Sequence, residues 1–133
     1  MAYRDRPPIC PRCGLELVRR QRRDIWRCPH CAGTQLATSE VERRLRLLAP
    51  DLSPEVLHDV MTARRSRGTA PACPSCGRPM QPITLGGVRV ARCDPDGRLW
   101  FDASELERIA ERAARHEAQR SWFRRFCSFL FAS

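Results

Sequence analysis

Cysteine spacing constrains this chain more than any other feature. Cys10 and Cys13 form one Cys-x-x-Cys pair, and Cys28 and Cys31 form a second pair that follows after 14 residues. Two residues between thiolates let one tight turn place both sulfur atoms on a single ion, and Gly14 permits the backbone conformation that such a turn needs. The spacing predicts one zinc ion held by four thiolates. The alternative, redox-active or inert cysteine pairs, lacks the βαβ context of a redox motif.

A second set of residues repeats this spacing with one change in type. It contains three cysteines and an aspartate, namely Cys73, Cys76, Cys93 and Asp96. A carboxylate oxygen can ligate zinc, so we predict a second zinc ion held by three thiolates and Asp96. Two alternatives stay open: completion of the site by His116, Cys127, water or a partner, and a ribbon that has lost its metal. Otherwise we expect His30, His58 and His116 to lie on the surface.

The similarity between the two halves extends beyond the cysteines. The segment 36–43 matches 101–108 at the same offset that relates Cys28 to Cys93. Such register over a long stretch indicates an internal repeat. Units of this size bury too little apolar surface to fold without a metal or a partner, so we expect the two copies to pack together.

Between its cysteine pairs, each copy reads as a β-hairpin. In the second copy, two short apolar runs, 83–85 and 88–90, flank Gly86-Gly87, a pair typical of a tight hairpin turn. Pro82 suits an edge strand. In the first copy, the runs 15–18 and 25–26 flank an arginine-rich turn with weaker alternation.

Helices are predicted after each hairpin. Asp102 suits an N-cap, with Glu105 completing a capping box before a helix that runs from about Ser104 into the tail. An earlier helix should bury Val41, Leu45 and Leu48. Another should begin at Ser53 and Pro54.

These elements predict a small metal-bound α+β fold: two tandem zinc ribbons, each followed by helix, with a long C-terminal helix. We divide the chain into a first zinc ribbon (1–37), a helical spacer (38–66), a second zinc ribbon (67–103) and a C-terminal amphipathic helix with an aromatic tail (104–133).

The second copy resembles a known family. The run 73–77, followed by Cys93, Trp100-Phe101-Asp102 and 105–107, is similar to the transcription factor IIB-type zinc-finger family of small bacterial proteins. The resemblance implies a zinc ribbon and a metal-binding role, and covers roughly 10–45 and 73–109. The second copy lacks the last cysteine. The first copy keeps all four cysteines but has Gln35-Leu36-Ala37 in place of the Trp-x-Asp signature.

Charge favours an anionic partner without selecting one. The net charge is +9, and all 24 basic residues are arginine. Such charge permits binding to nucleic acid, anionic lipid or an acidic protein. Candidate nucleic-acid contacts cluster in the first hairpin, where arginines could follow phosphates and a tryptophan could stack on a base: Arg19, Arg20, Arg22, Arg23 and Trp26. The alternative is a solvated arginine surface with Trp26 packed beside the zinc.

The C-terminal segment 122–133 is rich in aromatic residues. Its apolar side chains fall on one helical face, namely Trp122, Phe123, Phe126, Phe129 and Leu130. This face could cover the protein's own ribbons, dock into a partner's groove or lie on a membrane surface.

Taken together, the patterns favour a non-enzymatic zinc-binding adaptor for a protein or nucleic-acid partner, with two structural zinc ions. The alternatives are a peripheral membrane protein anchored by its tail and a zinc hydrolase with an open three-cysteine site. No apolar stretch follows Met1, so we expect no signal peptide and a cytoplasmic location, where cysteine pairs favour metal over disulfide.

Overall fold

The computed structural model describes residues 7–20 and 22–131. The first six residues, on which the expectation of no signal peptide rests, lie outside the described part, as do Gln21 and the last two residues of the aromatic tail.

In the described part of the chain, seven antiparallel strands form one sheet in the order β1-β2-β3-β7-β6-β5-β4. The strands are β1 (Val18–Arg19), β2 (Ile25–Arg27), β3 (Thr34–Ala37), β4 (Arg64–Arg65), β5 (Gln81–Leu85), β6 (Val88–Cys93) and β7 (Arg98–Phe101). The first three strands belong to the first ribbon and the last three to the second. The predicted packing of the two ribbons therefore takes the form of a continuous sheet.

The joint between the ribbons is the ladder of β3 with β7. Gln35 pairs with Trp100, and these two residues are equivalent by the sequence repeat. The neighbouring pairs follow the same relation. Thr34 pairs with Phe101, the equivalent of Leu36, and Leu36 pairs with Leu99, the equivalent of Thr34. The two ribbons are thus related by an approximate twofold axis through the Gln35–Trp100 pair.

The second hairpin forms as predicted. Gly86 and Gly87 have φ values of 56° and 81°, the positive pair that a type I′ turn requires. The prediction of an edge strand at Pro82 is wrong, because β4 pairs with β5 at Ile83 and Thr84. β4 itself lies in the segment predicted as the helical spacer.

The described residues form three helices, of which α1 (Thr38–Leu48) and α2 (Pro54–Met61) lie between β3 and β4, and α3 (Glu105–Phe131) follows β7. Ser53 caps α2 as predicted, since its side chain accepts a hydrogen bond from the Val56 N–H. At α3 only half of the capping box forms, because Glu105 accepts from the Asp102 N–H while the Asp102 side chain serves other donors. Leu48 was expected in the core but is 46% exposed, and Ala49 is buried in its place.

The apolar interior consists of two clusters. The larger lies between the sheet and the helices and includes Val41, Leu45, Phe101 and Ile109. The smaller contains buried cysteines of both halves together with Leu17, Met80 and Trp100. Both cysteine sets therefore share one packed environment.

Candidate metal centres

The first centre is built from two matched turns. The Gly14 N–H bonds to the Cys10 carbonyl at 2.9 Å, and the Ala32 N–H bonds to the Cys28 carbonyl at 3.1 Å. Gly14 has a φ of 73°, as the sequence predicts, and Ala32 has a φ of 62° at the equivalent point of the second turn. These turns direct backbone N–H groups at the sulfurs, from Cys13 to the Cys10 Sγ at 3.3 Å and from His30 to the Cys28 Sγ at 3.4 Å.

The donor atoms of this centre fit a tetrahedral zinc ion. The Sγ atoms of Cys10, Cys13, Cys28 and Cys31 all lie within 4.8 Å of one another, and Cys10 Sγ is 3.6 Å from Cys31 Sγ. A tetrahedron with Zn–S bonds of about 2.3 Å has edges of about 3.8 Å. The four thiolates can therefore hold zinc without rearrangement of the backbone.

Proton binding by these thiols competes with the metal. Burial raises the pKa of Cys10 and raises that of Cys13 to about 12. At Cys28 burial also raises the pKa, but hydrogen bonds from the N–H groups of Cys31 and His30 outweigh this effect, and the pKa falls to about 6. Zinc binding must therefore release protons from Cys10 and Cys13.

The second centre has the same turns and a different fourth donor. The Gly77 N–H bonds to the Cys73 carbonyl at 2.9 Å and the Gly97 N–H to the Cys93 carbonyl at 2.8 Å. The ligand atoms of Cys73, Cys76, Cys93 and Asp96 lie within 4.8 Å of one another.

Asp96 supplies the oxygen of this second group. Its Oδ2 lies 3.5 Å from Cys73 Sγ, and Cys76 Sγ lies 3.6 Å from Cys93 Sγ. His116 and Cys127, the other residues considered as fourth ligand, are not part of this group. The two sets of donors could therefore bind two zinc ions, the second through three thiolates and one carboxylate.

Gln35 contacts the second metal centre, which its sequence context did not predict. It is the one buried polar side chain in the described part of the chain, at 1% exposure. Its Nε2 lies 3.9 Å from Cys73 Sγ and 3.1 Å from Ser75 Oγ. Gln35 belongs to the first ribbon but contacts the second metal centre, and its alignment with Trp100 in the repeat was the available signal.

Trp100 makes the reciprocal contact. Its ring fills the space above Gly33, beside the second cysteine turn of the first ribbon, and only 1% of it is exposed. Its indole N–H donates to Asp102 Oδ1 at 3.1 Å. Asp102 in turn accepts two hydrogen bonds from the Arg12 guanidinium, at 3.1 and 3.0 Å. Arg12 lies between Cys10 and Cys13, the first pair of cysteines.

The side chains of Asp102 and Glu105 interact at the start of α3, and each affects the pKa of the other. Burial raises the pKa of Glu105 to about 7, and hydrogen bonding with Asp102 adds to the increase. Burial opposes ionisation of Asp102 too, but the hydrogen bonds from Arg12 and Trp100 lower its pKa.

The predicted nucleic-acid residues divide into two groups. Arg19 donates to the Arg22 and Arg23 carbonyls, and Arg23 forms an ion pair with Glu40 at 3.5 Å. Trp26 is partly buried against the cysteine cluster and donates to Asp24. Arg20 and Arg22 form no ion pair with any residue that the structure describes.

The aromatic tail does not cover the ribbons. All five predicted contact residues are exposed, at 63% for Trp122, 61% for Phe123, 45% for Phe126, 81% for Phe129 and 56% for Leu130. Trp122 and Phe126 stack on each other with ring centroids 5.3 Å apart. The interpretation of this face as a cover for the protein's own core is therefore wrong. Over the described residues, the structure contains no helix with the length and apolar character needed to span a bilayer.

The three histidines lie on the surface, as expected. Their exposure agrees with metal centres built from cysteine and aspartate.

Comparison with known proteins finds a family match for one segment of the chain. Residues 72–112 match the TFIIB-type zinc ribbon family, described as a transcription factor zinc-finger. The match covers the second ribbon and the first turns of α3, while the first ribbon lies outside it. No curated protein and no solved structure matches the chain.

Proposed function

We propose that this protein is a non-enzymatic zinc-ribbon adaptor that binds a macromolecular partner, with zinc in a structural role at both centres. Zinc ribbons are typically structural. The Asp96 carboxylate lies at the fourth corner of the second centre, the position that a catalytic zinc would leave open. Contacts with a partner must then come from the exposed surface of the protein.

We also propose that the first ribbon is a diverged copy of the family that the second ribbon matches. The matched turns at Cys10 and Cys73 and the twofold relation of Gln35 with Trp100 support this origin.

One observation carries the proposal of a macromolecular partner: three arginines around one cleft have no acidic partner. Arg20, Arg27 and Arg44 line a cleft of about 380 Å³ between the first hairpin, α1 and the start of α3. None of them forms an ion pair within the described residues, whereas Arg43 and Arg46 on α1 are paired with Glu40 and Glu42.

Unpaired arginines in a cleft suit an anionic partner. A guanidinium group binds phosphate or carboxylate oxygens in a bidentate manner. The cleft also contains Asp102 and Glu107, but Asp102 is already bound by Arg12. We propose that the partner is a nucleic acid backbone or an acidic protein surface, met in the cytoplasm, where reduced cysteines can bind zinc.

The proposal is tested by binding to generic DNA and RNA across a salt series. The test variant replaces Arg20, Arg27 and Arg44 by Gln, and the matched control replaces Arg43, Arg46 and Arg92 by Gln. Both variants lose the same charge, but the control arginines are paired in the structure. We expect the magnitude of the slope of log K against log salt to fall by about 2–3 in the test variant and to change little in the control.

The outcomes separate the two kinds of partner. Salt-sensitive binding that only the test variant loses supports nucleic acid. If neither DNA nor RNA binds, the nucleic-acid form is rejected and the acidic protein form remains. Equal loss in both variants would show that total charge, not the cleft, is responsible, and would contradict the proposal.

A further inference from the structure

The aromatic face of α3 points away from the body of the protein. Near its start the helix buries Leu106, Ile109, Ala110 and Ala113 against the sheet. With 3.6 residues per turn, the exposed aromatic side chains lie roughly 150° around the axis from this buried stripe. The tail is therefore not a continuation of the core-facing surface.

The buried side of the helix ends at Glu117. Its carboxylate accepts hydrogen bonds from the Ser53 N–H and hydroxyl, at 3.2 and 2.8 Å. Beyond it, residues 118–131 extend for roughly 20 Å at a rise of about 1.5 Å per residue. The exposed aromatic face has an area on the order of 500 Å², which is comparable with the largest apolar patch of a typical monomer, and such patches are often functional.

The segment that carries this face is basic. Residues 118–131 contain Arg120, Arg124 and Arg125 and no acidic residue. Arg120 and Arg124 lie on the side of the helix that faces Glu117, whose pKa is lowered by its bonds to Ser53 and further by these two arginines. Arg125 lies roughly 100° around the axis from the centre of the aromatic face. The segment thus combines Trp and Phe on one face with arginine on the rest of its surface, the pattern of a helix at a membrane surface.

We propose that residues 118–131 lie in the headgroup region of an anionic membrane, with the aromatic face toward the acyl chains. Arg125, the arginine nearest to the aromatic face, binds a lipid phosphate, and Trp122 occupies the interface between headgroups and hydrocarbon. A second copy of the chain is a poorer occupant, because a segment with three arginines and no acidic residue offers its own copy no opposite charge. The ribbons remain free for the partner of the proposed adaptor, and this inference does not depend on that partner.

The test is flotation of the full zinc-loaded chain with vesicles of phosphatidylcholine, alone or mixed with phosphatidylglycerol. We expect binding to the anionic vesicles and little to the neutral ones. Replacement of Phe126 and Phe129 by Ser should weaken binding by roughly tenfold or more per residue. Replacement of Arg125 by Gln should weaken it by about fivefold.

A matched control is available among apolar residues that are exposed elsewhere. Val18 and Leu47 are 54% and 61% exposed, and their replacement by Ser should leave flotation unchanged. Emission of Trp122 should shift to shorter wavelength with anionic vesicles, since Trp100 is already buried and Trp26 is partly buried. Trp122→Phe should abolish that shift while retaining flotation.

Three results would overturn the inference. Equal flotation of wild type and of the variant with Phe126 and Phe129 replaced by Ser would mean that the tail does not contact the membrane. Absence of flotation, with a photo-cross-linker at position 122 attaching only to protein in cells, would mean that the face fills a protein groove. If the wild type forms a dimer and does not bind vesicles, and the variant with Phe126 and Phe129 replaced by Ser is monomeric, the aromatic face binds a second copy of the chain.

Discussion

The first ribbon has four cysteine ligands around short strands, whereas the second has three cysteines and Asp96 below a long hairpin. β1 and β2 contain two and three residues, while β5 and β6 contain five and six. The ribbon with the weaker set of donors is thus the one with more backbone pairing.

The second ribbon also contributes more side chains to the apolar core than the first ribbon does. The second ribbon contributes most of the sheet residues in the larger apolar cluster, namely Ile83, Leu85, Val88, Val90, Leu99 and Phe101, while the first contributes Ile25 and Leu36. Where strands and helices bury a large surface, a carboxylate can replace a thiolate. Where they do not, the metal must supply the stability.

The largest effect expected from this difference is on the two equivalent cysteines. Cys28 and Cys93 are 1% and 2% exposed, so their replacement by Ser is closely matched. Cys28→Ser should cost on the order of 4 kcal/mol or more of unfolding free energy, and Cys93→Ser should cost less. Denaturant unfolding in the presence of zinc checks this order, and a larger loss for Cys93→Ser would contradict it.

Trp100 tests whether the two ribbons act as one unit. Truncation of a buried aromatic residue costs about 3–5 kcal/mol, so Trp100→Ala should be strongly destabilising. Because the ring lies over Gly33, we also expect faster amide hydrogen exchange in the turn at Cys28. Faster exchange confined to the second ribbon would show that the contact does not couple them.

The carboxyl pair that faces Arg12 should make stability depend on pH. The pKa of Glu105 is raised from 4.5 to about 7, so the folded state holds this proton more tightly than the unfolded chain. The stabilisation is complete below about pH 4.5 and is lost as pH rises through about 7. After allowance for solvent screening, wild type should lose about 1–2 kcal/mol between about pH 5 and about pH 8 from this group.

Glu105→Gln removes the ionisable group and keeps an acceptor for the Asp102 N–H. Unfolding free energies of both proteins across this pH range measure the effect. The difference between the two proteins should change with pH by that amount. A difference independent of pH would refute the assignment to Glu105.

The smallest effect concerns Gln35, which acts on the opposite ribbon. Gln35→Leu removes the contact with Cys73 Sγ and should destabilise the fold by about 1 kcal/mol. Loss of an outer-shell hydrogen bond should accelerate zinc release from the second centre by roughly tenfold. Chelator-driven release followed by native mass spectrometry resolves the two ions, and equal acceleration at both centres would oppose this role.

The sequence predicts the local features of this molecule well. The cysteine turns, the Gly86-Gly87 hairpin and the Ser53 cap follow from residues within a few positions of one another. The family model supports the second ribbon independently.

Long-range features were not accessible in the same way. The β3–β7 ladder joins segments distant in the chain, and β3 has only four residues, too few for a periodic pattern. No role was predicted for Gln35, because its partners lie in the other ribbon. Leu48 was predicted in the core by helical spacing, but α1 ends there and Ala49 is buried instead. The position of Arg27 and Arg44 beside Arg20 was not predicted, because the fold brings these three residues together from separate segments.

Zinc stoichiometry by native mass spectrometry, for wild type and Asp96→Ala, tests the central claim most directly. The account predicts two zinc ions in wild type and one in Asp96→Ala, with the fold retained in both. Two ions in both proteins would show that Asp96 is not a required ligand. One ion in both would show that the second ribbon holds its fold by packing alone, and would contradict the account of two metal centres.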